Sequence, residues 1–406
     1  MATIRTEKLA SGLLLAVEEQ ENPGAAMQLL VPVGAVHDPE GYEGASAVLE
    51  HWLWKGAGGL DARAYAEALD DLGVRRASHT AHEFTTISAA FLPEVLPRVL
   101  ELIALLVKSP NLKDDTFEPA RKAVEEAVLG LADDPPKKLF TNLRREVFVS
   151  PHGRNVEGSL ESLKRLTPEL VRRHYQDRYT LKGAILAVAG GVRFEEVKRA
   201  AEAAFSPLPG RAEEVPVRTS EPHLARWKEP GAQVQLGFFY RDVPPGDPYY
   251  YHARLAVQVL SGGMASRLFT EVREKRGLVY TVYAAPGNHK NFGYLAAYAG
   301  TTPEKAEKTR EVVKEVIAGL SQGVNEDELI RAKVRTKSAL VMHTESAQAR
   351  AASMAKDLFY WGRVRPVEEV LAAVEAITLN DLNAFLKKHP YQDPWEGILG
   401  PEGGEA

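Results

Sequence analysis

Apolar and polar positions alternate with two different periods along this chain. Leu13–Val17 and Thr85–Phe91 read as strands. Pro93–Lys108, Thr116–Leu131 and Phe194–Phe205 carry the wider spacing of helices with one apolar face. In the second half, Val234, Leu236, Phe238 and Tyr240 share one side of a predicted strand while Gln233 and Gln235 take the other, and Gly293–Ala299 reads as a further strand. Helix starts are marked at Thr167-Pro168, Thr302-Pro303 and Asn325-Glu326-Asp327-Glu328, where a capping side chain precedes a proline or an acid. From Glu326 the pattern predicts one long helix through Leu329, Ala332, Ala339 and Leu340 toward Gly362. No fixed-period repeat is visible, which argues against a solenoid.

The prolines and charges of Ser206–Pro216 read as an extended, exposed linker. They divide the chain into residues 1–206, a linker at 207–224 and residues 225–406, with similar element order on both sides. At 406 residues the chain exceeds the size at which one core usually stops growing, so two domains are expected.

Composition narrows the chemistry. A net charge of −5 with interleaved acids and bases offers no field for nucleic acid or anionic membrane. The absence of cysteine excludes disulfides, thiolate metal sites and cysteine nucleophiles, leaving His, Asp and Glu to hold any metal. The run Met1–Lys8 lacks the apolar core of a signal peptide, and no stretch approaches the ~18 apolar residues of a membrane span. These features predict a cytoplasmic protein.

The most informative motif is Ala47-Val48-Leu49-Glu50-His51. Two histidines at i and i+4 around a glutamate would share a helical face, bind zinc through both imidazoles and let the carboxylate act on bound water. Here the first histidine is Ala47. The lead-in Pro39–Ser46, the following Trp52-Leu53-Trp54-Lys55-Gly56, Pro151-His152-Gly153-Arg154, Gly190-Gly191-Val192, Met264–Phe269 and Arg273–Tyr280 complete a pattern that resembles the pitrilysin family of inverted-motif zinc peptidases. Within that family it is similar to the branch containing the mitochondrial processing peptidase subunits and their bacterial relatives.

The resemblance implies an α+β fold of two related domains, each a mostly antiparallel sheet covered by helices on one side. It also implies a third zinc ligand, a glutamate on a later helix. Aligned on Asp133-Asp134-Pro135, that position is Ala127, 76 residues beyond His51. Glu126 is one residue off, a rotation of about 100° around a helix. Two of three ligands are thus methyl groups, and the degenerate set Ala47, His51 and Ala127 is expected to bind no zinc. A substitute site from Glu50, His51, His79 and His82 conflicts with the alternation of a strand through His79-Thr80-Ala81-His82. Glu50 then reads as a vestigial general base, a carboxylate held by neighbouring donors, and Trp52 and Trp54 as packing.

Relatives also carry an arginine and a tyrosine seven residues apart that hold the substrate carbonyl and its developing oxyanion; they correspond to Arg273 and Tyr280. The bland alternative makes Arg273 a surface ion pair and Tyr280 a core residue, while Arg276 reads as a solvated charge. Gly262, Gly263 and Gly277 suit turns better than phosphate binding. Ala77 replaces the asparagine usual beside the substrate-binding edge strand.

The resemblance therefore implies a non-catalytic, substrate-binding subunit that completes the active site of a homologous chain with an intact zinc motif. It would act on peptides and bind no cofactor alone, and in isolation both a monomer and a homodimer are open to it. The alternatives are an autonomous zinc peptidase with a remodelled metal site, and a structural assembly subunit.

Overall fold

A computed structural model describes residues 3–401; Met1, Ala2 and residues 402–406, at the ends of the two expected domains, lie outside the described residues. The chain forms two compact units, each built around one sheet. The helices used below are α1 (Ala45–Leu53), α2 (Phe117–Leu129), α3 (Pro135–Val147), α4 (Tyr250–Ser261), α5 (Glu326–Thr344) and α6 (Ala347–Trp361).

The first unit contains β1 (Thr3–Lys8), β2 (Leu14–Glu19), β3 (Ala25–Val31), β4 (Arg75–Thr80), β5 (Thr85–Phe91) and β6 (Ile185–Gly190). Their order across the sheet is β1-β2-β6-β3-β5-β4, and only β2 and β6 run parallel. Leu15, Val17, Met27, Leu29, Leu186 and Val188 alternate onto the face that packs against the main helical layer. The intervening residues Ala16, Leu30, Ile185, Ala187 and Ala189 bury the opposite face against Ala351, Met354 and Ala355 of α6. Arg350 of α6 donates from Nε to Glu18 on β2 at 2.8 Å, both side chains being buried.

The second unit contains β7 (Leu224–Lys228), β8 (Val234–Asp242), β9 (Thr281–His289), β10 (Phe292–Thr301) and β11 (Trp395–Gly400), ordered β9-β10-β8-β11-β7 with only β11 and β7 parallel. Val234, Leu236, Phe238 and Tyr240 face its main core, as their alternation predicts. Leu139, Leu143 and Val147 of α3 cover the other face. Close approach there needs glycine: a Cβ on Gly237 would lie 3.0 Å from the Leu139 side chain.

The fold class is the expected one, with two differences. Each sheet has a further helix on its reverse face, and that helix comes from the other half of the sequence. Residues 131–153 belong to the second unit and His343–Arg365 to the first, so the units are not the contiguous blocks 1–206 and 225–406. The expected long helix is also two helices. It stops at Thr344, and Ser346 caps a new one by accepting from the Ala349 amide, so the break falls where the chain passes between units.

Of the expected linker 207–224, residues 207–218 form no regular element. They are nonetheless tied down in the first unit, where Leu208 and Ala212 pack on the core and Arg211 N donates to Asp177 O. The change of unit falls between Val215 and Pro216. No helix among the described residues is long and apolar enough to cross a membrane.

Candidate functional site

In the first unit the degenerate motif lies on α1, whose start is fixed without a metal. Gly44 precedes it at φ +93°, where a Cβ would meet the Glu157 carbonyl at 2.7 Å. The Asp38 carboxylate accepts from the amides of Gly44 and Ser46, each at 2.8 Å, and from the Ser46 hydroxyl at 2.6 Å. It therefore satisfies amides that a helix start leaves unpaired. His174 Nε2 lies 3.0 Å from the Ser46 hydroxyl. Burial pushes Asp38 up to about 7 against the hydrogen bonds that favour its charge. Burial first, then the nearby charges of His37 and Arg178, holds His174 down to about 3. Val48, Leu49, Trp52 and Leu53 anchor the inner side of the helix in the core.

Glu50 is buried at 8% exposure, and both carboxylate oxygens are occupied. Ser78 donates to Oε1 at 2.6 Å and Thr80 to Oε2 at 2.7 Å, while Trp54 Nε1 donates to the Ser78 hydroxyl at 2.8 Å. Ser78 and Thr80 stand two residues apart on edge strand β4 and thus share the face toward α1; Ala77 and His79 take the other face and are exposed. Composition and spacing did not bring out this pair of hydroxyls. The signal that could have found them is the same two-residue period that separates His79 from its neighbours. Trp52 is fully buried edge-on to Phe117, with its Nε1 donating to Thr116 at 2.9 Å, and is a packing residue.

The remaining candidates do not assemble a metal site. His51 is exposed, and Ala47, one turn earlier on the same face, is buried. On α2 the buried stripe Phe117, Ala120 and Val124 stops short of Ala127, the expected position of the missing acid, which is exposed. Glu125 is bound to Arg121 at 2.5 Å, and Glu126 is exposed two residues past Val124, away from that stripe. β4 ends at Thr80, so His82 stands in the following turn rather than in the strand expected for it; its Nε2 pairs with the Arg154 carbonyl at 3.2 Å. A catalytic zinc takes three protein ligands. With one exposed imidazole and two methyl groups at the ligand positions, this donor set does not fit one.

The second unit presents Arg273 and Tyr280 on a tightly tied segment. Phe269–Glu274 is a wide π-helical turn, a form frequent at functional sites. Leu268, Val272 and Val279 bury its inner side. Gly277, at φ +55°, donates to the Arg273 carbonyl, Leu278 N donates to Val272 O, and Lys305 and Thr301 hold the carbonyls of Gly277 and Leu278.

Against this fixed backbone the two side chains are free. Tyr280 is 66% exposed immediately before edge strand β9. The Arg273 guanidinium stacks 4.9 Å from the Phe269 ring and has no acidic partner among the described residues. Its neighbours are engaged, Lys275 and Arg276 both binding Glu271, at 2.6 and 2.8 Å. Arg273 is therefore not a surface ion pair and Tyr280 not a core residue. Gly262 and Gly263 form a turn, Gly263 at φ +141°.

Two family profiles match the chain in succession. Residues 14–159 match the profile described as insulinase, peptidase family M16, and residues 165–335 that of the peptidase M16 inactive domain. An uncharacterized zinc protease of Streptomyces coelicolor is 28% identical over 420 residues, covering 99% of this chain and 90% of the relative. One of Bacillus subtilis is 25% identical, covering 95% of each. Among solved structures, a peptidase M16 inactive domain from Pseudomonas fluorescens superposes with a TM-score of 0.89 at 21% identity over 99% of this chain and 98% of that one. A protease from Helicobacter pylori gives 0.88 at 19% identity over 98% and 99%.

Proposed function

The chain belongs to the pitrilysin (M16) family of peptidases, and from that premise we propose that it is the non-catalytic, substrate-positioning subunit of a heteromeric zinc peptidase. The observation that carries the reading is the pairing of a donor set unfit for zinc in the first unit with two exposed, uncommitted hydrogen-bond donors, Arg273 and Tyr280, in the second. Glu50, saturated by Ser78 and Thr80, has no metal-bound water to deprotonate and is a structural acceptor in this chain.

Zinc belongs, in this reading, to a homologous partner with a complete motif, where it polarises the scissile carbonyl. Arg273 and Tyr280 bind the carbonyl oxygen of an extended peptide and donate to it as negative charge develops, which favours the transition state over the bound substrate. The guanidinium supplies a fixed positive charge and the phenol a directed hydrogen bond. The isolated chain is inert, and a homodimer formed in its absence of partner is inert too. The lack of any field for nucleic acid or membrane is consistent with a cytoplasmic peptide-processing role.

The test is reconstitution. The tagged chain is expressed with homologous M16 chains of the same source, and the complexes recovered are assayed with a quenched fluorescent peptide. Expected are hydrolysis by the pair alone and chelator-sensitive zinc in the partner only. Zinc held stoichiometrically by this chain, with cleavage by it alone, overturns the reading in favour of an autonomous peptidase. A partner active without it points to a structural subunit.

A further inference from the structure

The second unit has a second feature that the Arg273 and Tyr280 pair does not use. Between the Gly262–Ser266 turn and α5 lies an open cavity of about 630 Å³, in the size range of ligand-binding clefts. Leu329 and Ala332 turn the inner side of α5 into the core. Ile330 and Val334, one helical turn apart, line the cavity and are 49% and 58% exposed; Met264, across from them on the turn, is 78% exposed. Single exposed apolar residues are ordinary, but several converging on one cavity mark a surface that something covers.

Charge identifies the occupant. Glu328 is the acid lining the cavity, and Arg267 already binds both its oxygens, at 2.6 and 2.8 Å. Arg331 and Arg335, again one turn apart, line the same cavity and form no close ion pair among the described residues, although the charge of Arg331 is felt at Glu328. Arg335 lies over the turn, its Nη1 2.7 Å from where a Cβ on Gly263 would stand. A guanidinium without a close acid thus sits beside an apolar floor.

We propose that this groove binds a peptide segment whose apolar side chains, about one helical turn apart, seat against Ile330, Val334 and Met264 while its carboxylates pair with Arg331 and Arg335. The length of α5 that lines the groove, Glu328 to Ser338, matches about three turns of such a segment. The inference deepens the substrate-positioning reading, on which it rests for its physiological meaning: the unit that holds the reacting carbonyl also selects acidic, amphipathic stretches of the substrate.

Binding is measured on the full chain without a partner, so failure here is distinguishable from failure of the heteromer. Fluorescence anisotropy follows a labelled peptide of about fourteen residues with leucines at i and i+4 flanked by glutamates, against the same peptide with lysines. The acidic probe is expected to bind at least about 10-fold more tightly, a difference of about 1.4 kcal/mol. Arg331→Glu with Arg335→Glu inverts the preference, and Ile330→Ser with Val334→Ser weakens both probes. Equal binding of the two probes, or a preference indifferent to charge reversal, overturns the proposal. So does a homodimer that the charge-reversed variant dissolves and the acidic peptide does not displace, because the face then belongs to a second copy.

Discussion

The two units share an architecture and differ in what their side chains are free to do. In the first, every group of the old catalytic motif that could act is absent, turned outward or saturated: Ala47 and Ala127 carry methyl groups, His51 is exposed, and Glu50 is held by two hydroxyls. In the second, a firmly tied backbone displays Arg273, stacked on Phe269 but without an acidic partner among the described residues, and the exposed Tyr280. The difference teaches that α1 is held in place without a metal. The position of α1 depends on the Asp38 cap and on Val48, Leu49, Trp52 and Leu53 in the core, and neither requires zinc.

The strongest test of that independence removes packing rather than chemistry. Arg350→Ala leaves the buried Glu18 carboxylate with only Gln20 for support and loosens α6 from the first sheet. It should cost about 3–5 kcal/mol in urea unfolding, the usual penalty for breaking one side of a buried pair. A loss under about 1 kcal/mol would show that apolar contacts alone hold the exchanged helix.

Chemistry in the second unit comes next. In the reconstituted pair, Arg273→Ala is expected to lower kcat by about 10²–10³, the usual loss for one oxyanion donor, and Tyr280→Phe by a smaller factor. Glu50→Gln in this chain should leave the rate unchanged. Equal sensitivity at Glu50 and Arg273 would erase the contrast between the units.

The deficit in the first unit can be repaired. Ala47→His with Ala127→Glu restores the expected ligand set beside His51, and zinc affinity measured by chelator competition should rise by more than about 100-fold, beyond what an outer-shell partner contributes. Each single change should gain far less. No gain in the double variant would mean that α1 and α2 have drifted from a ligating register.

The smallest effect concerns protons at the α1 cap. Folding lowers the pKa of His174, so alone it makes stability fall as pH drops from about 6.5 toward about 3. Folding raises that of Asp38, so alone it makes stability fall as pH rises from about 4 toward about 7. Between about pH 4 and 6.5 the pair binds one proton both folded and unfolded, and the two slopes cancel. His174→Gln should uncover a decline with rising pH and Asp38→Asn a decline with falling pH, each up to about 1.4 kcal/mol per pH unit in urea titrations. Slopes of the same sign would refute the pairing.

Local pattern and residue chemistry by themselves determined the strands through Thr85–Phe91 and Val234–Tyr240, the capped start of α5 and the two-unit plan. Each of these depends on neighbours in sequence or on what a side chain can donate. Only the tertiary structure decided that α3 and α6 cover the reverse faces of sheets belonging to the opposite halves, that Ser78 and Thr80 reach Glu50, and that Arg273, alone among three neighbouring cations, is left without an acid. An amphipathic helix announces that one face will be buried, but not against which sheet. A charged side chain announces its charge, but whether that charge is spent depends on which residues distant in sequence the fold brings beside it.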